Sequence, residues 1–399
     1  MMVVAARADG PDKELSFNDV FCDSTLRIDY IFAGDAERQD IYVDRLSTMA
    51  GWYGKRHRLS DVPVEGNGQI TVCSHATGDT LYRHPFSTLF QEWLTYPEAQ
   101  VTPRSFENVF LVPMPRDTVD ITVELRDNRR EPTARMTHTV VPGDILIRHI
   151  GQHNTPYVTL QRAADTTHCI NIAFVAEGYR PEEMDSFVAH AGEAMEALFA
   201  HEPFTSRRDR FNIIAVKSPS TDSEASEPAE GVWRRTALGS HFDTFYSSRY
   251  LTTLNLKTLH DWLAGTPYEH IIVLVNTDKY GGGGILNSYN LATTRNKYFR
   301  PVVVHEFGHS FGGLADEYAY EDEPIPMYPH DVEPWEPNIT TMADGKSKWD
   351  GPLFEGAGYS LKGVYRGAES CRMRDNLTPD FCPICQQALI RLIDFYTGP

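Results

Sequence analysis

Pro301-Val302-Val303-Val304-His305-Glu306-Phe307-Gly308-His309 decides how this chain is read. The apolar run predicts a helix buried on its valine side. Two imidazoles at i and i+4 leave one face of such a helix and can share a single metal ion, while Glu306 points to the neighbouring position where an activated water would sit. The plainer reading is a helix whose histidines are packed or solvated. Outward from the motif the chain runs Ser310-Phe311-Gly312-Gly313-Leu314-Ala315-Asp316-Glu317-Tyr318. Two glycines within a turn of His309 predict a helix end at which the backbone doubles back under the histidines. Catalytic zinc takes three protein ligands and keeps a fourth position for water, so the next carboxylates become candidates for the third ligand. Asp316 is preferred because it comes first after the turn, with Glu317 as the alternative. Either could equally be part of a solvated acidic loop continuing into Glu321-Asp322-Glu323.

The pattern His-Glu-x-x-His-x-x-Gly from His305 to Gly312 resembles the metzincin clan of zinc peptidases. Glu369-Ser370-Cys371-Arg372-Met373 resembles the clan's Met-turn, in which a methionine lies beneath the metal. The metzincin third ligand stands three residues after the glycine; that position here is Ala315, and Asp316 is one residue later. Longer strings, Gly312 to Tyr318, Tyr280 to Ile285, Phe354-Glu355-Gly356-Ala357-Gly358-Tyr359 and Cys371-Arg372-Met373-Arg374, resemble the bacterial IgA-cleaving metallopeptidase family over roughly residues 150 to 398, and the preceding segment resembles that family's N-terminal domain. The resemblance implies a zinc endopeptidase acting on an extended polypeptide or glycoprotein. It does not by itself imply immunoglobulin cleavage.

A zinc ion held by His305, His309 and a carboxylate brings its bound water to a pKa of about 7. Glu306 would take that proton and pass it to the leaving amine. Tyr318, Tyr320 or Tyr365 could donate to the oxyanion, although each also reads as a packing tyrosine. Met373 would floor the site without binding metal. The glycine run 281–284 lacks the Gly-Lys-Ser/Thr ending of a phosphate loop. By the resemblance, Gly281, Gly282, Gly283 and Gly284 form an edge along which a substrate can pair; a surface loop is the other reading.

The remaining sequence predicts two domains, residues 1–150 and 151–399: an all-β sandwich, then an α/β (α+β) metzincin-like domain. At 399 residues the chain exceeds a single core, and 41% apolar residues suffice for two. Leu26-Arg27-Ile28-Asp29-Tyr30-Ile31-Phe32 and Asp120-Ile121-Thr122-Val123-Glu124-Leu125 alternate as half-buried strands do. Beyond residue 150 the order becomes a strand at 169–175, a helix after Pro181 with Met184, Phe187, Val188, Ala191, Met195 and Leu198 on one face, a strand at 211–216 and, near the end, a helix after Pro383. Residues 218–231 read as a surface loop that could border the cleft or bind calcium.

A formal charge of −18 argues against nucleic acid and anionic membrane partners. No apolar stretch reaches the ~18 residues of a transmembrane helix. Met1 to Ala6 is too short for the core of an export signal. Of the six cysteines, Cys371, Cys382 and Cys385 cluster near the Met-turn. Cys371-Arg372-Met373 followed by Cys382-Pro383-Ile384-Cys385 also resembles archaeal-type metzincins, which implies a second zinc on four cysteines, but only three cluster here. A fourth ligand would come from Cys169 or a histidine, and a local disulfide from Cys371 is the preferred expectation. An even cysteine count and the resemblance to exported peptidases point to a secreted, periplasmic or cell-surface location. Two functions stand: a zinc endopeptidase, or a non-catalytic surface protein whose β-sandwich binds glycan or protein while zinc stiffens its neighbour.

Overall fold

A computed structural model describes residues 16–153, 155–321, 327–343 and 345–398. The Met1–Ala6 segment and the acidic pair Asp322 and Glu323 lie outside the described residues.

The N-terminal half is a β-sandwich followed by a mixed α/β peptidase domain. One sheet orders the strands Arg104–Pro115, Phe21–Gly34, Gln39–Ala50 and Arg148–His149; the other orders Thr80–Phe86, Gly68–Ser74, Val119–Arg126 and Pro132–Val140. Val119, Ile121, Val123 and Leu125 are buried while the residues between them are half-exposed, so the alternation read in the sequence is the inward face of a sheet. Phe32, Phe86 and Phe110 meet between the sheets, with Phe86 and Phe110 ring centroids 4.4 Å apart.

The second half is built on a six-stranded sheet in the order Gly282–Ile285, Tyr289–Thr293, His270–Val275, Ile170–Glu177, Phe211–Val216 and Tyr157–Gln161. The four inner strands are parallel and the two outer strands antiparallel to their neighbours. Ile170–Glu177 is buried along its whole length, because both faces of this sheet are covered. On one face Ile172, Phe174 and Ala176 pack with the helices Met184–Phe199, Phe299–Ser310 and Pro383–Thr397. On the other, Ala173 and Val175 join one apolar core with the Leu256–Leu263 helix and the sandwich.

That shared core fixes the two halves against each other. Arg27, wholly buried, binds Asp29 from its own strand and reaches across to Asp261 at 2.6 Å and to the Lys257 carbonyl at 3.1 Å. Asn171 donates to the Tyr53 carbonyl, and the Ser87 amide donates to that of Leu286. No helix among the described residues is long and apolar enough to cross a membrane.

Candidate active site

The Phe299–Ser310 helix carries Pro301 in its first turn, where a missing N–H costs no helical bond. Val302, Val303, Val304, Phe307 and Gly308 are buried, whereas His305, Glu306 and His309 are only half-buried. The motif thus sits on the one strip of the helix that is left uncovered. Gly308 belongs to the buried strip for a steric reason: a Cβ there would stand 2.6 Å from the Met373 sulfur. Met373, fully buried, therefore packs against the motif helix at Gly308, the residue before His309.

The helix ends as the glycines predict. Gly313 takes a left-handed conformation at φ 60°, its N–H donates to the His309 carbonyl, and the Leu314 N–H donates to that of Gly308. This reversal delivers Asp316 beneath the histidines. Asp316 Oδ1 lies 3.0 Å from His305 Nε2 and 3.3 Å from His309 Nε2, and the two Nε2 atoms are 3.1 Å apart. Ligand atoms around a tetrahedral zinc at about 2.0–2.1 Å stand roughly 3.3 Å from one another, so the triangle has the size of such a site.

Its chemistry fits as well. His305 Nδ1 faces the Arg372 carbonyl at 3.0 Å and His309 Nδ1 the Leu314 carbonyl at 2.6 Å. A carbonyl only accepts, so each ring is protonated at Nδ1 and presents Nε2 inward, where a metal ion would take the place of the proton that Nε2 otherwise carries toward Asp316. Asp316 Oδ1 is buried without a hydrogen-bond partner, while its Oδ2 accepts from the Tyr359 hydroxyl at 2.6 Å. Burial pushes the Asp316 carboxyl up, but the His309 and His305 rings, which attract it as cations when no metal stands between them, outweigh burial and hold that carboxyl well below the usual carboxylate range. Glu306 extends its carboxylate beside the histidines, with ligand-capable atoms of all three within 4.8 Å of one another. Burial pushes the Glu306 carboxyl upward against the opposing pull of His305 and His309.

The glycine run forms the edge strand Gly282–Ile285. A Cβ on Gly282 would stand 2.5 Å from Glu306 Oε1, and one on Gly284 would stand 2.5 Å from the Glu306 carbonyl. These glycines let the strand lie directly against the motif helix. Part of the edge is already engaged, since the Leu251 N–H donates to the Gly282 carbonyl at 3.3 Å.

Not all of the anticipated groups gather here. The Tyr318 hydroxyl interacts with Asp316, and Tyr320 stacks on Tyr359. Tyr365 belongs to the small sheet of Ile339–Thr340, Phe354–Ala357 and Ser360–Arg366, where its hydroxyl interacts with Glu355. Glu317 turns away from the histidines: its carboxylate accepts from Asn338 and lies beside the Cys382 and Cys385 sulfurs. In the 218–231 loop, Asp222 is engaged by Arg235, Glu224 by Arg234 and Arg295, and Glu227 by Lys279, so these acids are spread among cations and converge on no common point.

The expected disulfide from Cys371 is not formed. All six cysteines are free, and Cys371 Sγ and Cys385 Sγ stand 3.7 Å apart, against about 2.05 Å for a bond. The cysteine pattern therefore gives no support for an oxidising compartment.

Sequence reasoning passed over Tyr359 and the Arg372 and Leu314 carbonyls. For Tyr359 a signal existed in the flanking Gly356 and Gly358, since a tight turn holds it at φ 66°, uncommon for a tyrosine.

A mixed sheet backed by a helix that presents this histidine pair, with a carboxylate returned beneath it, is the arrangement of a metallopeptidase. The chain belongs to the M64 peptidase family: residues 158–353 match IgA Peptidase M64, and residues 16–137 match the Peptidase M64 N-terminus. Together these matches span most of the chain in the family's own order. Among curated proteins none matches it. The crystal structure of an archaemetzincin from Methanopyrus kandleri is similar over 58% of this chain and 99% of its own, at 14% identity and a TM-score of 0.26. At so low a score the likeness adds nothing to the strand order and helix placement described above.

Proposed function

We propose that this protein is a zinc-dependent endopeptidase in which His305, His309 and Asp316 hold the metal and Glu306 is the general base. The observation that carries the reading is the triangle of donor atoms 3.0–3.3 Å on a side, with Glu306 beside it. A divalent ion held there supplies Lewis acidity, polarising the scissile carbonyl and making water nucleophilic near neutral pH. The chain's own groups do the rest. Glu306 accepts the proton of the attacking water on a carboxylate oxygen and delivers it to the amide nitrogen as the C–N bond breaks. Tyr359 and the two backbone carbonyls fix the ligand atoms in place. Tyr318, whose hydroxyl interacts with Asp316, would donate to the oxyanion. Gly282 and Gly284 lie against the motif helix beside Glu306, while Gly281 and Gly283 face Phe242 and Tyr250; an extended polypeptide would pair along the backbone of this edge strand, Gly281 to Gly284. Export to a secreted, periplasmic or surface location belongs to this reading and rests on the family alone.

A non-catalytic binding protein with a structural metal is the competing reading. It gains nothing from a carboxylate beside an uncovered metal corner. Hydrolysis of a broad peptide library, with an immunoglobulin A arm, by wild type and Glu306→Gln at equal zinc content separates the two. We expect the variant to lose about 10²–10⁴-fold in kcat/KM. Equal rates would remove Glu306 from the mechanism, and no cleavage by either protein would favour the binder.

A further inference from the structure

A second set of donor atoms lies on the far side of the Asp316–Glu317 peptide. Glu317, Cys371, Cys382 and Cys385 come from three separate segments, are all buried, and place one donor atom each within 4.8 Å of the others. We propose that these four side chains bind a second divalent ion, zinc, as a closed structural site that joins the turn after the motif helix to the Met-turn and to the last helix.

The distances support a shared ion. Sulfurs on a tetrahedral zinc with bonds of about 2.3 Å stand roughly 3.8 Å apart. Cys371 and Cys385 Sγ are 3.7 Å apart, and Glu317 Oε1 is 3.1 Å from Cys385 Sγ and 3.8 Å from Cys382 Sγ. The surroundings match a site of negative charge. Backbone N–H groups of Met373 and Cys382 point at Cys371 Sγ at 3.4 and 3.2 Å, an arrangement that suits a thiolate. Two buried guanidiniums, Arg366 and Arg372, lie within electrostatic reach of Glu317 and Cys371 respectively.

Glu317 supplies a second, independent observation. It is 0% exposed, and its Oε2 has no hydrogen-bond partner. A carboxylate buried among apolar groups and thiols is costly unless a cation compensates it. The four donors close the coordination shell, leaving no corner for water, so the ion's role is to hold structure. What it holds is the first site's framework: Glu317 follows Asp316, its N–H donates to the Met373 carbonyl, and Arg372, between Cys371 and Met373, offers its carbonyl to His305. The inference does not depend on the peptidase reading, because none of its ligands belongs to the histidine site.

The test counts metal and reads thiolate bonding in the full-length protein, purified with reductant and zinc and then exchanged with cobalt. Wild type should carry two ions per chain and show thiolate-to-cobalt charge-transfer absorption in the near ultraviolet. The double variant His305→Ala, His309→Ala should keep one ion and all of that absorption. Cys385→Ser should lose the absorption. Glu317→Cys should retain the ion and raise the absorption by about a third, as three thiolates become four. That variant keeps the question answerable if Cys385→Ser fails to fold. Absence of charge-transfer absorption in cobalt-loaded wild type would overturn the proposal. So would thiol titration of the unfolded chain finding four of the six cysteines reactive, the mark of a disulfide.

Discussion

Asp316 and Glu317 are adjacent in the chain and serve opposite surroundings. Asp316 faces two half-buried imidazoles beside an uncovered strip of helix; Glu317, wholly enclosed, faces three thiols and an asparagine. The left-handed turn at Gly313 sends one strand of backbone between the two clusters, so that successive side chains fall on opposite sides of it. On the two proposals made above, the comparison separates a reactive metal site from a structural one. Three donors including Asp316 would leave a zinc ion an open corner, whereas the four donors including Glu317 would fill its coordination shell.

The sharpest way to break that contrast is to delete each carboxylate alone. Asp316→Ala should abolish peptide hydrolysis and release one metal ion, while cobalt charge transfer at the cysteines persists. Glu317→Ala should act first on stability, lowering ΔG of unfolding by a few kcal/mol, with activity falling as a consequence. Thermal unfolding, metal analysis and peptide hydrolysis on both variants decide the matter. If the two lose the same ion and the same activity, the carboxylates share one site and the comparison fails.

A smaller effect sharpens the Asp316 side. Tyr359→Phe removes the hydroxyl that donates to Asp316 Oδ2 and leaves the ring stacked on Tyr320. Groups that orient a metal ligand typically account for 10–100-fold in metal affinity or activity. We expect a loss in that range in zinc affinity, measured by competition with a chelator, with little change in cobalt charge transfer from the thiols. Unchanged zinc affinity would reduce Tyr359 to a packing residue.

How far the sequence discloses these features follows from the range of each interaction. The sandwich strands are legible because alternation such as that of Val119 to Leu125 is a property of neighbouring residues. The histidine pair is legible because one helical turn is local too. Asp316 is within reach of sequence reasoning, since only six residues, two of them glycines, separate it from His309. The fourth member of the cysteine cluster is not: Glu317 meets Cys371 only after the chain has passed through the small three-stranded sheet, and a reading that seeks a cysteine or histidine partner overlooks a carboxylate. In the sequence the glycine run reads as a substrate-pairing edge or a surface loop, whereas Gly282 and Gly284 give room to the motif helix, a contact that no spacing in the sequence announces.

A third carboxyl, contributed by the N-terminal half, tests whether the sandwich takes part in the electrostatics of the cleft. Glu92, on the short helix Leu89–Trp93, accepts a hydrogen bond from the Tyr250 hydroxyl at 2.5 Å and lies within electrostatic reach of His309 and Asp316. Unlike Asp316, it is not held ionised: burial raises its carboxyl to about 7, only partly opposed by the Tyr250 hydrogen bond. A folded pKa above the unfolded value means that the folded state binds the proton more tightly. The associated stability is present below the ordinary carboxylate range and is lost as pH rises through about 7. Glu92→Gln keeps a neutral group of the same shape and an acceptor for Tyr250, so it should escape that loss. At pH 5 the melting temperatures of wild type and variant should nearly coincide; at pH 8 the variant should be the more stable by on the order of 1–2 kcal/mol, a few degrees in Tm. Parallel melting curves across that interval would show that Glu92 ionises freely at the junction of the two halves, and that the sandwich imposes no charge constraint on the cleft.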